Sequence, residues 1–465
     1  MRQAPASPGR VWVPGPGQQL PAGSAGLGAD PELELPGSTP VDLPELVALS
    51  LANDPATQAV WNRARTQAAR YGETRSGYYP RIDGGVGIAY DNRRLVQFTP
   101  QLEQKDYGPF GTLVFLLLDF GGRSASVESA RLALLAANWE HNQAIQDTLF
   151  TTLRAYYLHV AAREALEASK ANVQDSRVVL AATRAQFEDG AGIRAQVLQS
   201  ESELARANLE VIKSTGAVEI SLGKLATAVG LPPDTPLEVR MGAVDSSLPR
   251  TRDPVDQLIA RSIERRPALQ AARAEVAARR EDIERARSDA LPRLSVDAYA
   301  AQRWYIGECP GCLELFGPRS RQYDGPAGNY GARLAVSGPL FDGFANWNRI
   351  RAREAAAEAA ESEIREQEQL VATEVWEAYY RHQAAEGRVR AARLLLLGAE
   401  ESYRVNLASF RVGAANSVEL VMAYQVLAGA RAEMITARAE IQISLAALLR
   451  AVGILGPGRE LEGAD

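Results

Sequence analysis

The sequence predicts a mainly α-helical protein with a small β part, organised as two internal repeats. Three observations lead to this fold class. The 465-residue chain is rich in Ala, Glu, Arg and Leu, and only 7% of its residues are aromatic, which favours long helices over a compact mixed sheet. The stretch from Arg123 to Phe187 contains no proline and no glycine. The chain also matches itself at a constant displacement, which indicates an internal repeat.

The two copies stay in register over a long stretch without a gap. A displacement of 223 positions superimposes the following pairs: Asp119 with Asp342, Tyr156 with Tyr379, Phe187 with Phe410, and Gly190 with Gly413. Upstream the displacement is 212, which carries Pro80 onto Pro292. The second copy therefore has 11 extra residues between Pro292 and Asp342.

The repeat and the composition divide the chain into five segments. Residues 1–40 are rich in Pro and Gly, and we expect them to be disordered or extended. The remaining segments are the first repeat at 41–230, a Pro-broken linker at 231–252, the second repeat at 253–455 and a C-terminal tail at 456–465.

Each copy is predicted to contain a helix, a pair of strands and a hairpin of two long helices. Asp42 followed by Pro44 is a typical helix start, because proline is tolerated in the first turn. The predicted bounds of the helix, strand pair and helix hairpin are about 42–76, 78–119 and 122–228 in the first copy, and about 253–289, 290–341 and 345–452 in the second.

The strand segments alternate between apolar and small or polar residues, as at 82–90, 294–303 and 330–337. Such alternation is typical of strands in a membrane β-barrel. It is also typical of a soluble hairpin with one wet face. The alternation alone leaves both interpretations open.

The long helices and the number of strands favour an assembly of several chains. Leu149, Leu153, Tyr156 and Val160 are spaced by four, three and four residues, which predicts a coiled-coil seam that needs neighbouring helices. Four strands cannot close into a barrel, and open sheet edges are not tolerated in lipid. If the strands lie in a membrane, several chains must pool them, and the long helices then form a second ring.

Other classes of function find little support. The formal net charge of −6 gives no basic surface for nucleic acid, and no run of about 18 apolar residues predicts a membrane-spanning helix. His141, His159 and His382 stand apart from one another, and the common nucleophile, phosphate-loop and zinc motifs are absent. We therefore predict neither an enzyme nor a cofactor.

The two cysteines, Cys309 and Cys312, form a C-x-x-C pattern inside the longer interval of the second copy. A redox motif would open a helix in a βαβ setting, which the sequence does not predict. A zinc site would need further ligands. The favoured interpretation is a small loop disulfide or two unused thiols.

The chain resembles the TolC-like outer-membrane efflux proteins over about 41–455. The resemblance rests on Pro80 and Pro292, which end a helix and open a strand, on the corners LLLDFGG at 116–122 and SGPLFDGF at 337–344, and on the F-x-x-G turn of each copy. It implies a homotrimer in the outer membrane that extends into the periplasm. Three chains would pool four strands each into a twelve-stranded transmembrane β-barrel, and their helices would form an α-barrel.

The resemblance also implies partners and site residues. A periplasmic adaptor protein, an inner-membrane pump of RND, ABC or MFS type and outer-membrane lipid are the expected partners. The adaptor-facing candidates at the turns are Phe187, Gly190, Ile193, Phe410, Gly413 and Ser417. The alternative is that these residues only make a sound turn.

Glu419 stands where the family carries an acid that constricts the pore, and its counterpart in the first copy is the neutral Gln196. Ala415 and Met422 depart from the family's basic and acidic residues, so we expect a weaker or differently locked gate.

The predicted function is therefore a passive outer-membrane duct of an efflux or type I secretion system. The alternative is a soluble coiled-coil scaffold with small hairpins. No export signal is visible in the N-terminal sequence, since it lacks the apolar stretch of a signal peptide.

Overall fold

The computed structural model describes residue 9 and residues 40–94, 101–240, 253–308 and 322–456. The chain forms two compact units. The helical unit comprises Met1–Thr66, Leu135–Arg273 and Glu363–Asp465, and the sheet unit comprises Gln67–Leu134 and Ala274–Ser362. Cys309 and Cys312, and with them the predicted disulfide, lie outside the described residues, as do most of 1–40 and of the tail.

The elements follow the predicted order in both copies. The helices are α1 Leu43–Asn53, α2 Pro55–Arg75, α3 Gly122–Glu188, α4 Arg194–Ala228, α5 Val255–Arg265, α6 Pro267–Asp289, α7 Ala345–Arg411 and α8 Ser417–Val452. The strands are β1 Arg81–Arg94, β2 Gln101–Leu118, β3 Arg293–Glu308 and β4 Gln322–Ser337. Among the described residues, no helix is both long and apolar enough to span a membrane.

The first helix of each copy is two helices rather than the one predicted. The breaks fall at Asp54 and Arg266, which adopt extended backbone conformations. Each precedes a proline, Pro55 or Pro267, and proline disfavours a helical conformation in the preceding residue. The predicted start is correct, because Asp42 and Glu45 form a reciprocal capping box.

The long helices α3 and α7 contain 67 residues each. The predicted coiled-coil positions Leu149, Leu153, Tyr156 and Val160 are all buried in a core that α3 shares with α1, α4 and α8. This burial confirms that the seam needs neighbouring helices.

Buried histidine–serine pairs join the helices of both hairpins. His159 Nδ1 lies 2.9 Å from Ser221 Oγ, and the repeat-equivalent His382 Nδ1 lies 3.0 Å from Ser444 Oγ. Both serine hydroxyls donate their single proton to a carbonyl three residues earlier. Each serine therefore accepts from its histidine, which fixes the proton on Nδ1. His159 and His382 stand apart from one another, as the sequence suggested, and each links two helices through a serine.

The four strands form one antiparallel sheet in the order β1-β2-β3-β4. The two hairpins have the same register, since Arg81 lies opposite Val114 and the equivalent Arg293 lies opposite Ser337. The strands β2 and β3 join the two copies through a register that contains a bulge near Leu116. Within the described residues, β1 and β4 are the two edges of the sheet.

Candidate functional site

The turn between α3 and α4 ends a helix through backbone geometry alone. The amide of Gly190 donates to the carbonyl of Phe187 at 3.1 Å, and the amide of Ala191 donates to that of Gln186 at 2.9 Å. These two bonds form a Schellman motif, which needs a left-handed residue after the helix. Gly190 supplies it with φ of 76°, a conformation in which other L-residues are strained.

The turn between α7 and α8 repeats this arrangement and adds a strong cap. Gly413 has φ of 78°, and its amide donates to the carbonyl of Phe410 at 3.0 Å. Asn416 Oδ1 accepts from the amide of Glu419 at 2.9 Å, while Glu419 Oε2 accepts from the amide of Asn416 at 3.2 Å. Glu419 therefore caps α8 as well as carrying an exposed charge.

Gln196 takes the position of Glu419 in the first copy. Its Oε1 accepts from the amide of Ile193 at 3.1 Å. Because Glu and Gln cap the two equivalent helices in the same way, the cap does not require the charge. The negative charge of Glu419 is thus available for another role.

The structure places most, but not all, of the predicted adaptor-facing residues at the surface. Phe187, Gly190, Ile193 and Gly413 are exposed. Phe410 and Ser417 differ from this expectation of exposure, because the side chain of each is only 1% exposed in the single chain. Phe410 packs in a core with residues of α3 and α8, so its side chain stabilises the end of α7 and offers no exposed surface at the turn. Val412, Val418 and Met422, none of which was among the predicted adaptor-facing residues, are exposed near the second turn.

The two turns are held together by contacts between the copies. Gln186 Nε2 donates to the carbonyl of Phe410 at 2.7 Å. Further along the helices, Arg431 on α8 donates to Asn172 Oδ1 at 2.6 Å and to Asp175 Oδ2 at 2.7 Å on α3. We call Arg431, Asn172 and Asp175 the inter-repeat clasp. Its members are too far apart in sequence for spacing to have revealed them.

Two tyrosines extend the inter-repeat clasp on its buried side. The hydroxyl of Tyr424 donates to the carbonyl of Asn172 at 3.2 Å, and that of Tyr403 donates to the carbonyl of Asp175 at 3.3 Å. Burial raises the pKa of Tyr424, and burial with the nearby charge of Asp175 raises the pKa of Tyr403 to about 12. Both hydroxyls therefore stay protonated and keep donating at physiological pH.

The sheet in the sheet unit has one apolar and one polar face. Residues opposite one another on adjacent strands share a face, so the register alone assigns the side chains. The apolar face includes Ile82, Val86, Ile88, Tyr107, Leu113, Leu294, Val296, Trp304, Tyr330, Leu334 and Val336. Many of these large side chains are exposed in the single chain, and exposed apolar surface of this extent marks contact with lipid or another protein.

The opposite face carries charges that are paired within the sheet. Arg303 forms a hydrogen-bonded ion pair with Asp106, and Arg333 lies 3.3 Å from Asp297. Asp106 is buried, and the guanidinium of Arg303 also lies 6.0 Å from the centre of the Phe110 ring. This face suits water, while the other suits an apolar environment.

The strand-to-helix corners anchor the starts of α3 and α7. Asp119 accepts from the amide of Arg123 at 2.6 Å, and the equivalent Asp342 accepts from that of Asn346 at 2.8 Å. A carboxylate at a helix start satisfies free amides and the helix dipole. The two corners share this geometry but differ in their surroundings, since Asp119 is buried and Asp342 is exposed.

Comparison with known proteins identifies the class. The family model for outer membrane efflux proteins matches residues 46–231 and 258–454. Protein CyaE of Bordetella pertussis is 27% identical over 436 residues, covering 92% of this chain and 88% of the relative. The alkaline protease secretion protein AprF of Pseudomonas aeruginosa is 22% identical over 413 residues, covering 88% and 83%. The solved outer-membrane channel OprN has a TM-score of 0.74 at 20% identity, covering 88% of this chain and 89% of that chain.

Two stretches that together span most of the chain match the family, and the chain belongs to the outer membrane efflux protein family. It is an outer-membrane channel protein of efflux or secretion type with the TolC-like fold. The resemblance noted from the sequence is thereby confirmed, as are the mainly helical fold with four antiparallel strands and the outer-membrane location.

Proposed function

We propose that three copies of this chain close into a passive duct that carries cargo out of the periplasm. The observation that carries the proposal is the two-faced sheet with open edges. Four strands are too few to close on themselves, and an open edge leaves amide and carbonyl groups unpaired in lipid. Pooling strands from several chains removes every edge and turns the apolar face to lipid and the polar face to the lumen.

The turns between α3 and α4 and between α7 and α8 form the entrance of the duct in this proposal. Glu419 is exposed and needs no charge to cap its helix. Three such carboxylates around one axis concentrate negative potential in a narrow opening. Glu419 then favours cations at the constriction, and Gln196 lines the same opening without charge.

Planar-bilayer recording of the purified protein tests the duct and its constriction together. The wild type is expected to conduct and to prefer cations. Glu419→Gln keeps the helix cap, as Gln196 shows, and is expected to move the reversal potential in a salt gradient toward zero at nearly unchanged conductance. Glu188→Gln removes an exposed acid near the other turn and serves as the control.

Each outcome of that recording is informative. A protein that never conducts contradicts the duct. A pore whose cation preference is the same in Glu419→Gln and wild type contradicts the assignment of the constriction. An equal loss of selectivity in Glu188→Gln would mean that general surface charge, and not Glu419, sets the preference.

The exposed apolar residues at the turns are the proposed docking surface for a periplasmic adaptor that links the duct to an inner-membrane pump. Phe187, Ile193 and Val412 lie close to the turn glycines and are exposed, and apolar residues at exposed turns mark contact surfaces. Ile193→Asp and Val412→Asp are expected to abolish co-purification of the adaptor without loss of conductance. Retention of the adaptor by both variants would remove this surface from the proposal.

We propose that the cargo is a polypeptide rather than a small molecule. AprF is by name a protein of alkaline protease secretion, and its match covers most of both chains. The pyoverdine export outer membrane protein OpmQ of Pseudomonas putida matches only 54% of this chain. Deletion of the gene tests this preference for a polypeptide cargo. Loss of an exported protein from the culture medium, with no change in small-molecule resistance, supports a polypeptide cargo. The reverse result contradicts it.

A further inference from the structure

Three aromatic side chains lie on the polar face of the sheet, which lines the lumen in the proposed duct. They are Phe110 on β2 and Tyr299 and Tyr305 on β3. Phe110 lies opposite Gly85 on β1, and Tyr299 lies opposite Gly331 on β4. A ring that stood upright on this face would project toward the centre of the duct. The orientation of each ring therefore decides how much of the lumen stays free.

The rings of Phe110 and Tyr299 lie over these glycines. A Cβ atom on Gly331 would lie 2.7 Å from Cε1 of Tyr299, and a Cβ atom on Gly85 would lie 3.0 Å from Cζ of Phe110. Both distances are shorter than the roughly 3.5–4.0 Å that separates carbon atoms in contact. Each ring therefore takes the space that a side chain at the facing position would occupy, and it lies against the wall of the sheet.

The backbone does not explain why glycine stands at these two positions. Gly85 and Gly331 pair regularly in the ladders of their hairpins, and neither is among the described glycines with a positive φ. Alanine would suit an extended strand better, because glycine loses more conformational freedom on folding. Glycine inside a strand often marks a site that another group approaches closely. Here that group is an aromatic ring from the neighbouring strand.

Further contacts hold the rings in this orientation. The guanidinium of Arg303 lies 6.0 Å from the centre of the Phe110 ring, and the ion pair of Arg303 with Asp106 fixes it there. The side-chain amide of Asn329 on β4 donates to the hydroxyl of Tyr305, so the third ring also contacts a neighbouring strand. The rings are thus engaged sideways, along the wall of the sheet.

We infer that Gly85 and Gly331 keep Phe110 and Tyr299 flat against the wall and thereby set the largest cargo that the β-barrel admits. This inference deepens the proposed duct and rests on it. Twelve strands tilted by about 35–45° close at a backbone radius of about 11–13 Å. Each ring occurs three times around the axis in the proposed trimer, so rings that leave the wall would narrow the lumen from three sides.

Polymer exclusion in planar bilayers tests the inference with the whole protein. Polyethylene glycols of increasing mass are added on the side away from the helical turns, and the largest polymer that still lowers the conductance reports the width of the barrel. Gly85→Ala and Gly331→Ala place a Cβ atom in the space of the facing ring. The ring is the free end of a side chain and can turn away from the wall. The largest admitted polymer is therefore expected to be smaller in both variants than in the wild type.

Two glycines on the same strands and the same face supply matched controls. A Cβ atom on Gly87 would lie 3.7 Å from Cε1 of Phe110, which is an ordinary contact, and Gly325 has open space around it. Gly87→Ala and Gly325→Ala are therefore expected to admit the same polymers as the wild type. Phe110→Ala combined with Gly85→Ala is expected to restore at least the wild-type width, because it removes the displaced ring.

The inference is overturned if Gly85→Ala and Gly331→Ala both admit the same polymers as the wild type, or if the control variants narrow the lumen equally. Phe110→Ala and Tyr299→Ala, each with its native glycine, provide a test that does not depend on the tolerance of the glycine positions. A ring that lies flat adds little to the wall, so its removal is expected to leave the width nearly unchanged, and a clearly wider lumen overturns the inference. A wild type that never conducts contradicts the duct itself, whereas conducting glycine variants of unchanged width overturn only the inference.

Discussion

Replacing Arg431 with Met is predicted to loosen α8 from α3 without emptying the space that the arginine stem fills. The variant removes the charge and both hydrogen bonds of the inter-repeat clasp, at 2.6 and 2.7 Å from Asn172 and Asp175. A methionine side chain retains most of the apolar packing of the stem. The loss of stability in this variant therefore measures the polar contacts between the two repeats.

The partial burial of the inter-repeat clasp sets the expected magnitude. The side chains of Arg431 and Asp175 are each 24% exposed. A buried hydrogen bond to a charged group contributes about 1.5–3 kcal/mol, whereas an exposed ion pair contributes about 0.2–1 kcal/mol. We expect the free energy of local unfolding of α8 to fall by about 1–2 kcal/mol, which lies between these limits. This change corresponds to a roughly 5- to 30-fold increase in the population of the locally open state.

Hydrogen–deuterium exchange of the detergent-purified protein measures this opening directly, because amide exchange reports local unfolding. Peptides from the first half of α8 are expected to exchange roughly 5- to 30-fold faster in Arg431→Met. Asn208→Ala is the repeat-matched control, since Asn208 is exposed and, within the described part of the chain, donates only to Leu204 of its own helix. Its effect on α4 is expected to stay within about twofold. Wild-type exchange of α8 in Arg431→Met would refute the reasoning.

Three further predictions concern a turn, a histidine and a half-buried ion pair. Gly413→Ala is expected to destabilise the helical unit by about 1–2 kcal/mol, because the φ of 78° at Gly413 suits glycine. Gly387→Ala is the control: Gly387 lies inside α7 with open space around it, so this variant is expected to stabilise the helical unit by up to about 1 kcal/mol. Chemical denaturation followed by circular dichroism compares the two variants. Burial, with a smaller effect of Arg163, lowers the pKa of His159 from 6.5. The contribution of neutral His159 to the free energy of unfolding is therefore complete above pH 6.5 and is lost as the pH falls toward the folded pKa. His159→Gln should make the free energy of unfolding less dependent on pH across that range, and an unchanged slope would contradict this. Burial opposes ionisation of Glu374, but its bonds to Arg450 and Arg266 prevail and hold its pKa below 4.5. Because the Glu374 side chain is 37% exposed, Glu374→Gln should lower the free energy of unfolding by about 1–2 kcal/mol at neutral pH. The difference from wild type should shrink as the pH falls below 4.5, whereas a constant difference would contradict the charge as its cause.

Local signals were sufficient to predict most of the helices and strands. Between Arg123 and Phe187 nothing interrupts the helix, and α3 occupies that stretch almost to the residue. The turn glycines marked the helix ends, because a left-handed residue is needed there. The breaks at Asp54 and Arg266 were missed because the prolines after them were treated as ordinary helix residues, although proline restricts the residue before it.

The candidate site could be predicted only in part, because burial depends on distant neighbours. The spacing of Phe410 and Gly413 indicated a turn, but not that α3 and α8 close over the Phe410 ring. Arg431 and Asp175 are 256 positions apart, and no periodicity relates residues at that separation. Glu419 looked like a free acid, yet its second role as a cap follows the S/T/D/N-x-x-E pattern that Asn416 begins. That pattern could have been read from the sequence.

Differences between the copies locate the contacts that the chain cannot make alone. Each hairpin must join its own two helices, so the pairs His159–Ser221 and His382–Ser444 are the same in both copies. A contact between hairpins is formed once within the chain and, in the proposed ring, once between chains. At such a position, Arg431 in the second copy corresponds to Asn208 in the first. The charged contact thus holds the two hairpins of one chain together. In the proposed ring, the equivalent contact between chains has no ion pair at that position. We therefore expect the ring to separate between chains before the two hairpins of one chain separate.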